Sequence, residues 1–287
     1  MKARELLPSP HLSRSTACWI AVFRWAGRRS LKTLQMTGWL LGWLVWLVSP
    51  RYRRHWRENT EQAGIDRAAA VASVGAAGKM VAELPRLWFG APVPTEWQGG
   101  ELIETAIANG RSILFLTPHL SAFDLTVVAY AERWGDRQPI AVLFQPPNRE
   151  ELSPLLELGR RRPGVRALPT DLAGVKGVLK VLKQGGVVGL LPDQVPPQGM
   201  GVSVPFFGRP AYTMTLAARL AQLADQVLLV SVERLPQSRG FIIRVAEPEG
   251  ALPDSDATAA AAAINRWMEA LIRRHPDQYL WGYNRYK

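Results

Sequence analysis

His119 and Asp124 stand five residues apart behind a short apolar run, Ser112–Leu116 (SILFL). An imidazole at the end of a buried strand can take a proton from a hydroxyl and return it near neutral pH. It needs a carboxylate to fix its tautomer and stabilise the imidazolium that forms. A carboxylate in the first turn of the following helix can fold back to do this, which makes Asp124 the natural partner. Asp124 has a second reading: Ser121-Ala-Phe-Asp124 fits a capping box, with Ser121 as the cap and Asp124 at the third helical position. The two readings are compatible in one structure. Other chemistries lack their residues. One cysteine, Cys18, gives no disulfide framework and no Cys-built metal site, and the four histidines are too scattered for a short metal motif. No HExxH, Gly-x-Ser-x-Gly, GxGxxG or GxxxxGK[ST] pattern occurs, so no metal or cofactor is expected.

Polar residues elsewhere could hold an anionic substrate. Arg160, Arg161 and Arg162 form a run, and Arg209 follows the apolar Val204-Pro-Phe-Phe-Gly stretch. Guanidinium forks suit phosphates, while a solvated helix end favouring its own dipole explains the run equally well. Asn148, in the segment after a second apolar run, joins them as a substrate-binding candidate. Asp193-Gln194 follows a third run and either meets substrate or hydrogen-bonds a turn. Phe206, Phe207 and Trp281 read as core more than as lining of an acyl pocket.

These residues need a scaffold. Ser112–Leu116, Ile140–Phe144, Val187–Leu191 and Val227–Val232 are short and continuously apolar, the pattern of strands buried on both faces. Helices are expected between them at 122–134, 149–162, 171–184 and 212–224, with others over 99–109 and from the Asp254-Ser-Asp-Ala-Thr cap to Pro276. Residues 58–88 read as helical, interrupted near Gly64 and at Pro85. Phe241–Val245 should return antiparallel to 227–232. The expected fold is therefore α/β, a largely parallel mixed sheet flanked by helices. Ligands of such sheets bind beyond the carboxyl ends of the strands, where His119, Asn148, Asp193 and Glu233-Arg234 all fall.

The formal charge of +11 is unevenly placed. Residues 1–57 carry 11 of the 35 Lys/Arg and one acid, Glu5, for a net +10, and six of the 11 Trp; the rest of the chain balances to +1. Thr33–Pro50 is uncharged, flanked by Arg28, Arg29 and Lys32 on one side and Arg51, Arg53, Arg54 and Arg57 on the other. Eighteen helical residues rise about 27 Å, slightly less than a hydrocarbon core of roughly 30 Å. Three readings compete: a cleaved signal peptide, disfavoured by the late apolar run and missing cleavage site; a buried core helix; and a short span or monotopic anchor. The last is preferred, dividing the chain into a basic, Trp-rich membrane anchor at 1–57 and a catalytic domain at 58–287. Charge localised beside an apolar run disfavours a nucleic-acid partner.

HLSAFD after one strand, LLPDQ after another, GVSVPFFGRPAYTMTLAARLA, the terminal PDQYLWGYNRYK and the Trp-rich basic helix together resemble the bacterial lipid A late acyltransferases, the lauroyl/myristoyl transferases of the lysophospholipid-acyltransferase superfamily. The resemblance runs from about Trp39 to Lys287. It implies a glycerolipid-acyltransferase-like fold and transfer of a fatty acyl group from acyl carrier protein to a hydroxyl of a lipid A precursor. The setting it implies is the cytoplasmic face of a bacterial inner membrane. On it His119 and Asp124 match the His-x4-Asp/Glu catalytic pair, and Asp193-Gln194 a DQ motif of the site. The lipid A enzymes usually carry Glu at the position of Asp124 and Gly at that of Ser121; Asp is common in glycerolipid acyltransferases. A lysophospholipid or other amphiphile as acceptor, or a catalytically silent lipid-binding protein of the same fold, are the alternatives.

Overall fold

The structure is a computed structural model and describes residues 13–144, 152–253 and 256–287. Four helices come first: α1 (Arg14–Gly27), α2 (Leu31–Val48), α3 (Pro50–Gln62) and α4 (Arg67–Phe89). Then follow β1 (Thr95–Gln98), α5 (Gly100–Ala108), β2 (Ile113–Leu116), α6 (Asp124–Trp134), β3 (Ile140–Phe144), α7 (Ser153–Arg160), β4 (Val165–Pro169), α8 (Leu172–Lys183) and β5 (Val187–Leu190). The chain closes with β6 (Gly201–Phe206), β7 (Arg209–Met214), α9 (Thr215–Leu223), β8 (Gln226–Arg234), β9 (Phe241–Ala246) and α10 (Ala257–Arg274). Side-chain caps set several starts: Ser30, Ser49, Asp66, Asp171 and Asp256 each accept from a backbone N–H in the first turn.

The sheet runs β1-β9-β8-β2-β5-β3-β4. Only β8 and β9 pair antiparallel; every other neighbouring pair is parallel, as expected of a largely parallel mixed sheet. β2 lies at the centre with all four residues buried. Core clusters cover both faces, one holding Leu114, Leu116 and α10, the other Ile113, Phe115 and α6. Phe206, Phe207 and Trp281 are core, at 2%, 4% and 3% exposed.

Two expectations fail in the helices. α4 runs through Pro85 without a break, its packing against α1 and α2 offsetting the roughly 3 kcal/mol of a proline inside a helix. The helix expected from residue 212 starts at Thr215, because 209–214 form β7 in a hairpin with β6.

The N-terminal helices are packed onto the domain. Gly38 and Gly42 of α2 lie directly on Val74, Gly78 and the Lys79 backbone of α4, so close that a β-carbon at Gly38 would sit 2.6 Å from the Lys79 Cα. Small residues at such a crossing let two helices approach closely. Gln35 of α2 donates to the buried Glu83 carboxylate at 2.7 Å. Among the described residues no helix is long and apolar enough to cross a membrane, which corrects the spanning alternative for the Thr33–Pro50 run. α2 has instead one face committed to α4 and another bare: Met36, Leu40, Leu44, Leu47 and Val48 are each more than half exposed.

Candidate active site

Three segments converge beyond the carboxyl end of β2. Leu116 of β2 is in register with Leu190 of β5, and three residues further along each strand lie His119 and Asp193. The His119 Nδ1 lies 2.7 Å from Asp193 Oδ1, and the His119 backbone N–H donates to Asp193 Oδ2 at 2.9 Å. Asp193 is 1% exposed. The third segment is the C-terminal tail: the Tyr279 hydroxyl donates to Asp193 Oδ2 at 3.1 Å, and Leu120 and Tyr279 form a β-bridge. The Ser121 N–H donates to the Gln278 carbonyl, and the Leu280 N–H to the His119 carbonyl.

Burial pulls the Asp193 carboxyl upward. The His119 ring beside it, the hydrogen bonds from His119 and the one from Tyr279 more than offset that and hold it below the usual carboxylate range. An ionised Asp193 only accepts, so in the neutral form of the ring the proton sits on Nδ1 and Nε2 is the free base. The carboxylate hydrogen-bonded to His119 is therefore Asp193, where Asp124 was the expected partner. The capping reading of Asp124 also fails. Phe123 is the N-cap residue of α6 and no side chain caps it. Ser121 has φ of 52° and a buried Oγ without a hydrogen-bond partner among the described residues. Ser121→Gly is expected to raise the melting temperature, because it removes a left-handed non-glycine strain of about 1–3 kcal/mol together with that hydroxyl. A thermal melt of the two proteins checks it; an unchanged or lower midpoint would mean Oγ has a partner.

Asp124 makes no hydrogen bond to His119 among the described residues. It lines an apolar slot with Phe123, Val127, Ile140, Val142 and Gly189, and the same slot contains Arg160, whose Nη2 is 3.8 Å from Asp124 Oδ1. Burial raises the Asp124 carboxyl above its usual range, against the opposing pull of Arg160 and His119. Arg160 packs over the Phe144 ring at 4.7 Å.

The arginine run divides. Arg160 belongs to the slot and Arg161 is exposed. Arg162 also lines the slot, while donating to the Leu87 carbonyl at 2.9 Å and lying 3.6 Å from Glu132. Gln194 is half-buried next to Asp193. Arg209 stands on the β6–β7 hairpin over the Tyr286 ring, and among the described residues it makes no ion pair with Asp124 or Asp193. Asn148 lies outside the described residues. The sequence reading missed Tyr279 and Gln278. The terminal PDQYLWGYNRYK gave a motif, but no local pattern connects a tail tyrosine to an aspartate 86 residues upstream.

A family model described as bacterial lipid A biosynthesis acyltransferase matches residues 68–287. The lipid A biosynthesis lauroyltransferase of Escherichia coli K12 is 32% identical over 195 residues, 67% of this chain and 62% of that protein. A lipid A biosynthesis acyltransferase 2 of Shigella flexneri is 25% identical over 187 residues, covering 64% and 58%. The lipid A biosynthesis acyltransferase of Haemophilus influenzae is 26% identical over 228 residues, covering 79% and 70%. This chain thus spans less than two thirds of the first two relatives' length.

Proposed function

The chain belongs to the bacterial lipid A biosynthesis acyltransferase family, and from that membership and the His119 geometry we propose that it moves a fatty acyl group from an acyl carrier protein thioester to a hydroxyl of a lipid A precursor. The observation that carries this reading is the His119–Asp193 pair standing beside an apolar slot with Asp124 and Arg160 in its wall. The slot takes the acyl chain. His119 Nε2 removes the proton from the acceptor hydroxyl as its oxygen attacks the thioester carbonyl. The C–O bond forms, the tetrahedral intermediate collapses, the C–S bond breaks, and the thiolate recovers the proton from the imidazolium. Asp193 stabilises that imidazolium, and Tyr279 holds Asp193 in place. Asp124 and Arg160 line the acyl side of the reaction, where the Arg160 cation supports the developing oxyanion. A thioester is already activated, so no covalent enzyme intermediate is needed; Cys18, on α1, has no part.

Residues 1–57 are proposed as the membrane-contacting segment and 58–287 as the catalytic domain. Eleven of the sixteen large hydrophobic side chains exposed among the described residues lie on α1 and α2, from Trp19 to Val48. With the basic residues around them, they favour docking on an anionic lipid surface rather than crossing it. The proposed location is the cytoplasmic face of the inner membrane, where the acyl carrier protein is available.

The test is direct. Purified chain with acyl carrier protein thioester and a lipid A precursor should yield, by mass spectrometry, a product heavier by one acyl group. Acylation of lysophospholipid alone would transfer the assignment to that acceptor, and no product with either would remove it.

A further inference from the structure

A second cavity is joined to the His119 loop through Gln278, whose carbonyl accepts from the Ser121 N–H. A cleft of about 870 Å³ lies between α2, α4, the β8–β9 turn and the tail. Its outer wall is the exposed apolar side of α2, with Met36, Trp39 and Leu40 at 61%, 45% and 60% exposure. Its inner wall is polar and carries Lys79, Arg234, Asp277 and Gln278, with Lys32 at the α2 end. An apolar wall that can face lipid, opposite a charged wall, suits an amphiphile's headgroup and the start of its chains.

The charges inside are unevenly compensated. Arg234 is neutralised by the buried Glu83, through Nε at 2.7 Å and Nη2 at 2.8 Å. Lys32 and Lys79 have no ion pair among the described residues, and Asp277 is the one acid lining the cleft. Burial and the neighbouring Arg234 charge pull Lys79 below the usual lysine range, more than Glu83 and Asp277 restore. The turn that closes the cleft is strained: Gln237 and Ser238 are consecutive non-glycine residues at φ of 57° and 58°. The Ser238 hydroxyl is pinned to Gln35 Oε1 at 2.6 Å. Left-handed residues persist only where the surroundings over-determine them, and they cluster at ligand clamps.

Position gives the cleft its purpose. Gln278 forms part of its wall, and the Gln278 carbonyl is held by the Ser121 N–H, while the adjacent Tyr279 holds Asp193. In the order β9-β8-β2-β5-β3, the acyl slot lies on the β5 and β3 side of the His119 strand and the cleft on the β8 and β9 side. We propose that this cleft binds the phosphate-bearing headgroup of the acceptor amphiphile, with Lys79 and Lys32 as the cations that hold the phosphate. The proposal rests on the acyl-transfer reading for the acceptor's role, though not for the binding itself. A lysine ammonium is a compact point charge that suits a phosphate monoester. The acceptor site thereby moves from the arginine run, which stands on the donor side, to the opposite flank.

The test uses the full chain in two arms, with a melting curve for each variant. In the transfer arm, Lys79→Gln with Lys32→Gln should raise the KM for lipid A precursor about 10-fold or more, with kcat and the KM for acyl carrier protein thioester unchanged. Lys79→Arg should recover most of the loss, and Asp277→Asn should lower the same KM by removing a like charge. An unchanged acceptor KM, or an equal change in donor KM, overturns the assignment. The binding arm needs no transfer: phosphatidylcholine vesicles containing phosphatidic acid should bind the parent chain and lose affinity with Lys79→Gln. Lys183→Gln, an exposed position in the last turn of α8 and outside the membrane-contacting segment, should lose much less. Equal losses in the two variants would mean general surface attraction and overturn the cleft. Lys79-dependent binding of inorganic phosphate without Lys79-dependent vesicle binding would also overturn it, in favour of a free anion. If no precursor is acylated while the vesicle arm succeeds, the cleft stands and the acceptor assignment falls.

Discussion

Asp193→Asn is expected to fold and to lose about 10⁴-fold in kcat, as much as or more than the 10²–10⁴-fold expected for His119→Ala. The reason lies in the two hydrogen bonds from His119. Its backbone N–H requires an acceptor at Oδ2, 2.9 Å away, so an asparagine there must turn its carbonyl oxygen to that position. The amide NH₂ then faces Nδ1 and donates to it, which forces the ring proton onto Nε2 and removes the base. Asp124→Asn makes a different prediction. Its carboxyl is raised by burial, and an acid whose folded pKa lies above its unfolded value loses stability as pH rises through the unfolded value. Removing that charge should therefore leave the chain at least as stable at pH 7. Asp193 has the opposite sign: its carboxyl is held low, so its contribution is present above the unfolded value and is lost as pH falls through the folded one. Single-turnover rates with melting curves at pH 7 and pH 4 check both. A normal rate in Asp193→Asn together with a dead Asp124→Asn would return the partnership to the residue nearer in sequence.

Glu83→Ala should cost about 3–5 kcal/mol, or roughly 6–20 °C in melting temperature, although Glu83 touches no proposed reacting group. Glu83 is 0% exposed and takes three hydrogen bonds, two from Arg234 and one from Gln35. Its loss leaves the Arg234 guanidinium, 7% exposed, without its partner. The effect should spread to activity, because the Arg234 backbone N–H is tied to the Gln278 side chain, and the Gln278 carbonyl positions Ser121. Glu83→Leu combined with Arg234→Met should be less damaging than either change alone, since no charge is then stranded. A double-mutant cycle followed by thermal unfolding measures this; additive losses would mean that the pair is not coupled.

The sequence reading succeeded where structure is local. Ile140–Phe144 is a strand with the bounds its apolar run suggested, and α8 and α10 begin at the aspartates that cap them. The β6–β7 hairpin escaped because Pro205 and Pro210, paired across it, depress strand propensity on both sides, and Phe207 adopts a left-handed turn conformation that glycine usually takes. The apolar character of α2 was plain from composition. Its true partner was not, since the match between Gly38 and Gly42 and the small residues of α4 appears only when the two helices are laid together. In the site, His119 was readable from its place behind a buried strand. Its carboxylate was not, because 74 residues separate it from Asp193 and only the β2–β5 register unites them. The nearer carboxylate satisfied the spacing, and burial beside Arg160 gave it a different environment.

Placing the acyl slot and the cleft on opposite flanks of one central strand has a consequence for water. With the proposed occupants, which enter from different sides and need not exchange places, the thioester and the hydroxyl would reside together before any bond changes. The incoming headgroup then fills the space from which a solvent molecule would otherwise reach the carbonyl. In the proposed reaction, the presence of the second substrate would suppress wasteful hydrolysis of the donor, and the acyl group would pass between its two carriers without a waiting period on the protein.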